Sequence, residues 1–428
     1  MTLYITEKTM QAGCTDGKDL KDNMKLGFGT QRLPLTDPAD DSSIDYEELF
    51  KMVDYYLAHG GRYFDVARPY HSQHAEEAFR RAVAERYPRE AFEITGKFTG
   101  WLIEDKCTPE EFFQSQLEAC GVEYFDMYMY HALNPERCEQ LDRIGGWDYM
   151  QSLLRDGRIR RIGMQFHDGA DTLEWVLDRH PEIEAVHLIF NYAEWESPLF
   201  ELKRCYDIIV NHGCEMITMY PVMQGVLQDG LPEEAKAVFE NAHPGMRPAS
   251  WAVRWAADLP ATFKVLVDHS NLDQIQSNIE ALRTMDTYGD EDRKTMKQVM
   301  EILRDKRTYL CTGCDKCLPH CPHNLAISKY IELYNDQKEF GIMPSLHKGL
   351  FYGTLVRDHG IMSLCENCTT CLEHCPEHLD IPAIMAAAKP IFDYKVPRPV
   401  TPYDRFPIGE TAGWTAHGDI FPVSVNEY

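Results

Sequence analysis

Residues 62–97 read RYFDVARPYHSQHAEEAFRRAVAERYPREAFEITGK, and their pattern decides the fold. An apolar run from Arg62 (RYFDV) gives way to apolar residues spaced three and four apart over Ala75–Tyr87, then to a second apolar run from Phe92 (FEITGK). That is a buried strand, an amphipathic helix and a strand again, with Pro88 closing the helix. The alternation continues both ways. KLGFG from Lys25, FDMYMYH from Phe125, IRRIGMQF from Ile159, AVHLIFN from Ala185, EMITMY from Glu215 and FKVLVDH from Phe263 also read as strands. Tyr46–His59 is another helical pattern, closed by Gly60 and Gly61. Eight strands alternating with helices over about 250 residues predict an α/β fold, a (β/α)8 TIM barrel, with an open doubly wound sheet as the alternative.

A site in such a barrel forms at the C-terminal ends of the strands. In order those ends are Gly29, Asp65, Lys97, His131, Gln165, Asn191, Tyr220 and His269. A single polar residue there follows merely from a strand meeting a loop. Titratable groups at the second, third, fourth and eighth ends together make a candidate constellation.

The 428 residues suffice for two or three domains, and 44 % hydrophobic with 26 % charged residues describes a folded chain. Lys and Arg number 43 against 68 Asp and Glu, a formal charge of −25. Such a chain is repelled by phosphate backbones and anionic lipid, so nucleic acid and membrane surfaces are not expected partners. The first residues show no secretory signal or twin arginine, and no apolar run reaches about 18 residues, so the expected location is cytoplasmic.

Fourteen cysteines are present, eight of them between Cys311 and Cys375. CTGCDKCLPHCP supplies Cys311, Cys314, Cys317 and Cys321; CENCTTCLEHCP supplies Cys365, Cys368, Cys371 and Cys375. Both follow C-x2-C-x2-C-x3-C-P, the run of bacterial ferredoxins, whose fourth Cys serves the other cluster. Two [4Fe–4S] clusters are therefore expected, one on Cys311, Cys314, Cys317 and Cys375, the other on Cys365, Cys368, Cys371 and Cys321. Zinc, the rival, favours CxxC pairs over triplets. The 43 residues between Cys321 and Cys365 resemble the helical ferredoxin type fused to oxidoreductases. The expected organisation is a barrel over 1–285, a helical connector over 286–309, a small, mostly helical ferredoxin-like iron–sulfur domain over 310–388, and a Pro- and aromatic-rich tail over 389–428.

YFDVARPYHSQHAEEAF, EITGKF and FDMYMYHAL resemble the aldo/keto reductase segments that carry the catalytic Asp, Tyr, Lys and His, here Asp65, Tyr70, Lys97 and His131. RDGRIRRIGMQFHD and DQIQSNIEAL resemble two further family segments, and the likeness, from about Lys25 to Leu282, is to the type fused to a C-terminal ferredoxin domain. It implies interconversion of a small carbonyl compound and its alcohol. Tyr70 would be the general acid/base, with its pKa lowered by Lys97, Asp65 would hold Lys97, and His131 would orient the carbonyl. It also places candidate cofactor contacts at Gln165, His187, Asn191, Tyr220, Asp268 and Asn278. The family's Ser-Asn pair and Gln are replaced by Gln165, Phe166 and His187. Asp268 stands where NADP-specific members have a basic residue, and Gln274 where an Arg often lies. These departures favour NAD(H) over NADP(H), or no nicotinamide at all, and leave a flavin open. A redox partner protein is expected for the clusters. Two other readings stand beside the enzyme: an electron-transfer subunit with a scaffold barrel, and a lyase or isomerase with structural clusters. Arg68, Trp101 and Trp195 are expected to rim the pocket, and the His71/His74 pair to lie beside it.

Overall fold

The computed structural model describes residues 24–103, 106–340 and 346–393. Eight parallel strands close into a barrel in sequence order: β1 Leu26–Gly29, β2 Tyr63–Asp65, β3 Glu93–Phe98, β4 Met127–Leu133, β5 Ile162–Phe166, β6 Ala185–Ile189, β7 Glu215–Met219 and β8 Thr262–Asp268. Closure between β1 and β8, with Gly29 opposite Asp268, rules out the open sheet.

Side chains alternate along each strand, so one parity fills the barrel and the other packs on the surrounding helices. Tyr63, Met127, Met129, Ala185, Ile217 and Leu266 meet in the interior. Two residues further along the same strands come Asp65, His131, His187, Met219 and Asp268, which therefore form the next inward layer, at the C-terminal mouth. Period-two geometry alone sets these polar groups above an apolar plug.

The helix Tyr46–Ala58 forms as expected, with the Asp45 side chain capping the Glu48 amide. The pattern over Ala75–Tyr87 is instead an α-helix over Ala75–Phe79 that widens into a π-helical turn over Arg80–Ala84. The expected connector is helical. Its helix Asp290–Asp305 lies on the barrel flank, where Met296, Val299 and Leu303 pack with Leu227, Phe239 and Trp251. The C-terminal region holds helices Ile327–Phe340, Leu346–Asp358 and Ile381–Phe392, and this last helix runs past residue 389, where the tail was expected to begin. The rest of that tail, from residue 394, lies outside the described residues.

A buried polar knot joins the helices outside β2–β4. Glu76, 1 % exposed, accepts from Gln116 at 2.6 Å and pairs with Arg68 at 2.6 Å, and Tyr128 donates to Gln116. Burial pushes the Glu76 carboxyl from 4.5 up to about 7 against the opposing pull of Arg68. A carboxyl that holds its proton more tightly when folded makes stability fall as pH rises through that interval, by on the order of 3 kcal/mol. Thermal unfolding between pH 5 and 7.5 is expected to show this decline, and Glu76→Gln to flatten it. An unchanged slope in the variant would contradict the assignment.

Candidate active site and cluster sites

Asp65 ends β2, Lys97 lies in β3 and His131 in β4, and all three are buried. Lys97 Nζ pairs with Asp65 Oδ1. Burial pushes Lys97 below the ordinary ammonium value and Asp65 above the ordinary carboxylate value, the pair opposing both shifts. Tyr70 lies in the short helical segment after β2, with Lys97 Nζ 5.0 Å from its ring centre and the His131 ring edge-on at 6.2 Å. The four residues therefore converge. His131 Nδ1 is bonded to Thr99 Oγ1 at 2.9 Å, which fixes the imidazole, and Trp101 lies against the ring at 4.8 Å.

The charge state of Tyr70 differs from the expectation. Burial raises its pKa well above the ordinary phenol value; Asp65, Asp268 and Tyr220 raise it further, and a hydrogen bond with Gln165 opposes them. Lys97 is paired with Asp65, and burial decides the direction of the Tyr70 shift. Tyr70 is thus held as the protonated phenol. Burial and the nearby charges of Lys97, Arg137, His167 and His187 keep His131 neutral.

Of the six expected cofactor contacts, Gln165, His187, Tyr220 and Asp268 face this mouth. Gln165 and His187 are paired across β5 and β6, and Gln165 Nε2 reaches Met219 Sδ at 3.5 Å. Asp268 turns inward, its Oδ1 accepting from the Gln31 amide at 3.2 Å and Arg32 opposing its charge. A Cβ at Gly29 would come within 2.1 Å of that oxygen, so only glycine admits Asp268 there. Asp268 therefore belongs to the Lys97–Tyr70 charge cluster and does not face a 2′-phosphate outside the mouth. Asn191 and Asn278 are engaged elsewhere: Asn191 bonds Glu194 through both its amide atoms, and Asn278 Nδ2 meets His269 Nε2 at 3.0 Å.

Two of the three expected rim residues lie elsewhere. Arg68 turns to Glu76, and Trp195 packs on Phe190, Tyr206 and Trp255; Trp101 alone joins the site. His71 is a structural histidine, its Nε2 accepting from the Leu33 amide at 2.9 Å and its Nδ1 near the Asp41 carbonyl. Thr99, His167, Gln31 and Arg32 were missed. His167 sits within the quoted motif; the others lie in loops without any motif signal.

In the C-terminal region, Cys321, Cys365, Cys368 and Cys371 line one cavity, walled by Leu325, Ile327, Ile381, Pro382 and Met385. Cys375, from the second motif, lies instead within electrostatic reach of Cys311 and Cys317. Each motif thus sends its fourth thiol to the other set, as the ferredoxin spacing implies. Among the described residues no three His, Cys, Asp or Glu groups converge on a single ion. A multi-iron cluster, larger than an ion and ligated by thiolates in an apolar shell, fits such a cavity.

A model of the aldo/keto reductase family matches residues 25–301. The chain belongs to that family. A model of the 4Fe-4S dicluster domain matches residues 310–381, so this oxidoreductase carries a dicluster domain after its barrel. Curated relatives include an aldo-keto reductase of Mycobacterium sp. (strain MCS), 28 % identical over 264 residues, covering 59 % of this chain and 83 % of that protein. Methylglyoxal reductase DkgA of Salmonella typhimurium is 26 % identical over 216 residues, 50 % of this chain and 71 % of that protein. The barrel is similar to an aldo-keto reductase of Klebsiella pneumoniae in complex with NADPH: TM-score 0.51, 17 % identity, 64 % of this chain and 90 % of that one. It is also similar to a thermostable aldo-keto reductase in complex with epalrestat: TM-score 0.51, 20 % identity, 67 % and 97 % covered.

The dicluster domain docks on the face of the reductase barrel that carries the tetrad. Arg357 binds Asp168, just after β5, at 2.6 Å and reaches toward Glu136, after β4. Glu332 accepts from Ser197, after β6, at 3.0 Å and pairs with Arg307 at 2.6 Å. Phe351 meets Phe200 edge-on at 4.6 Å, and a Cβ at Gly313, between Cys311 and Cys314, would lie 3.2 Å from Pro198. Asp168 is 3 % exposed and without Arg357 keeps the Gly169 amide and the Thr172 hydroxyl but loses its paired cation, so Arg357→Leu costs about 3 kcal/mol. Limited proteolysis is expected to cut this variant between 305 and 311 far faster than the native protein; equal rates would contradict the docking described. Among the described residues no helix is long and apolar enough to cross a membrane.

Proposed function

We propose that this aldo/keto reductase interconverts a small carbonyl compound and its alcohol, with Tyr70 as proton donor and acceptor and the dicluster domain exchanging electrons with an external redox partner. The observation that carries the reading is the convergence of Tyr70, His131 and the Lys97–Asp65 pair at the mouth on which the cluster domain is docked. A bound nicotinamide or flavin would supply hydride, and the clusters one-electron storage. Tyr70, protonated by burial, delivers its proton to the oxygen where charge develops during reduction and regains it from water. His131, fixed by Thr99, orients that oxygen. Asp65 holds Lys97 beneath the Tyr70 ring, where the ammonium meets the negative charge that Tyr70 takes on as the proton leaves. The set Cys311, Cys314, Cys317 and Cys375 is the inner cluster site, because Gly313 abuts Pro198 on the loop that follows β6. The set of Cys321, Cys365, Cys368 and Cys371 is then the outer one.

NAD(H), NADP(H) and flavin all stay open as hydride carriers. With Asp268 turned inward, a preference for NAD(H) rests on Gln274 alone. A second reading, an electron-transfer subunit whose barrel is a scaffold, draws support from Asn191 and Asn278, both engaged within the protein. Anaerobic purification followed by iron and sulfide analysis and by titration with NADH, NADPH and flavins tests the choice. About eight irons with one bound carrier supports the enzyme; eight irons with no carrier supports the subunit.

A further inference from the structure

The barrel mouth is divided by charge. Asp65 and Asp268 stand on the β2 and β8 side, and His131, His167 and His187 come from the adjacent strands β4, β5 and β6 or their ends. Asp65 is engaged by Lys97, and Asp268 by the Gln31 amide and the charge of Arg32. His187 is different. It is 1 % exposed, and neither ring nitrogen has a hydrogen-bond partner among the described residues. Its cross-strand neighbour Gln165 likewise leaves Oε1 unbonded. Burying an imidazole with both polar atoms unmet is unfavourable, and the inward parity of β6 aims the ring into the mouth.

The groups facing His187 choose the ligand. Lys97, His167 and His131 lie near enough to disfavour its charge and one another's. An anion placed among them turns that repulsion into attraction and returns a proton to the histidines. The acids across the mouth push the same anion toward the histidine wall. We propose that His187, with His131 and His167 beside it, forms a carboxylate subsite, and that the substrate is a 2-oxo or 2-hydroxy carboxylate with its C2 oxygen at Tyr70. The substrate class rests on the role given to Tyr70 above; the subsite does not. Reduction breaks the C2=O π bond: hydride that a bound nicotinamide or flavin would supply adds to C2, the Tyr70 proton adds to oxygen, and the carboxylate is unchanged.

The test is calorimetric binding of oxamate, an unreactive 2-oxo-acid isostere, and of neutral oxamide to the anaerobic holoprotein. Cluster absorbance checks that each variant is intact. Oxamate is expected to bind at least about tenfold tighter than oxamide, with uptake of about one proton seen across buffers of different ionisation enthalpy. His187→Phe is expected to lose about tenfold or more in oxamate affinity. His187→Gln, which keeps a neutral donor, is expected to lose less but to abolish proton uptake. Equal binding of oxamate and oxamide would overturn the proposal, as would oxamate affinity unchanged in both variants, or His187 variants that weaken only NADH. Tyr70→Phe separates the two claims: oxamate binding kept while 2-oxo-acid turnover is lost supports both, whereas turnover kept removes the role of Tyr70 and leaves the subsite standing.

Discussion

Tyr70→Phe is expected to lower turnover by about 10²- to 10⁴-fold, the usual worth of a positioned proton donor, while iron content and cluster spectra stay native. The expectation follows from burial. The phenol is 5 % exposed and held protonated by its surroundings, so it stands at the mouth with its proton in place. Its pKa lies above the ordinary phenol value, so reduction is expected to show no loss of rate attributable to Tyr70 across the neutral range. Oxidation of the alcohol, which needs the phenolate, is expected to speed up as pH rises. A variant with unchanged turnover would move the chemistry elsewhere and favour the scaffold reading.

The cysteine exchange has consequences as large. Cys375→Ser is expected to alter the same cluster signal, by electron paramagnetic resonance, as Cys311→Ser, although the two residues belong to different motifs. Cys321→Ser is expected to pair with Cys365→Ser. The cavity shared by Cys321 with the second triplet, and the position of Cys375 beside Cys311 and Cys317, carry this assignment. Each serine variant is expected to lose or convert one cluster while the other keeps its spectrum. Grouping by motif, Cys321 with Cys311 and Cys375 with Cys365, would contradict the crossed pattern.

Much of this molecule was legible from its residues, for identifiable reasons. The eight strands were visible because a barrel strand buried on both faces is a short apolar run between amphipathic helices. Asp65, Lys97 and His131 were visible as strand ends, and His187 because the family likeness places it opposite the family's Gln. Other features depend on contacts between distant segments and leave no local trace. That Asp268 would fold over Gly29 required the β1–β8 register, which only barrel closure sets. That Asn191 would turn to Glu194, and Arg68 to Glu76, depended on loop paths. The docking of Arg357 on Asp168, 189 residues earlier, carries no motif. The expected lowering of the Tyr70 pKa failed for a related reason: it weighed the ammonium of Lys97 and not the burial of the phenol or the carboxylate that engages that ammonium.

The central claim is that the barrel site and the clusters form one electron path. It is tested most directly by adding NADH, NADPH or reduced flavin in turn to the anaerobic, oxidised holoprotein and recording the paramagnetic signal of reduced [4Fe–4S] clusters. The account predicts that one carrier generates the signal, and that Arg357→Leu, which loosens the dicluster domain, slows its appearance with iron content unchanged. Full cluster content with no signal from any carrier, while dithionite still reduces the clusters, would contradict it.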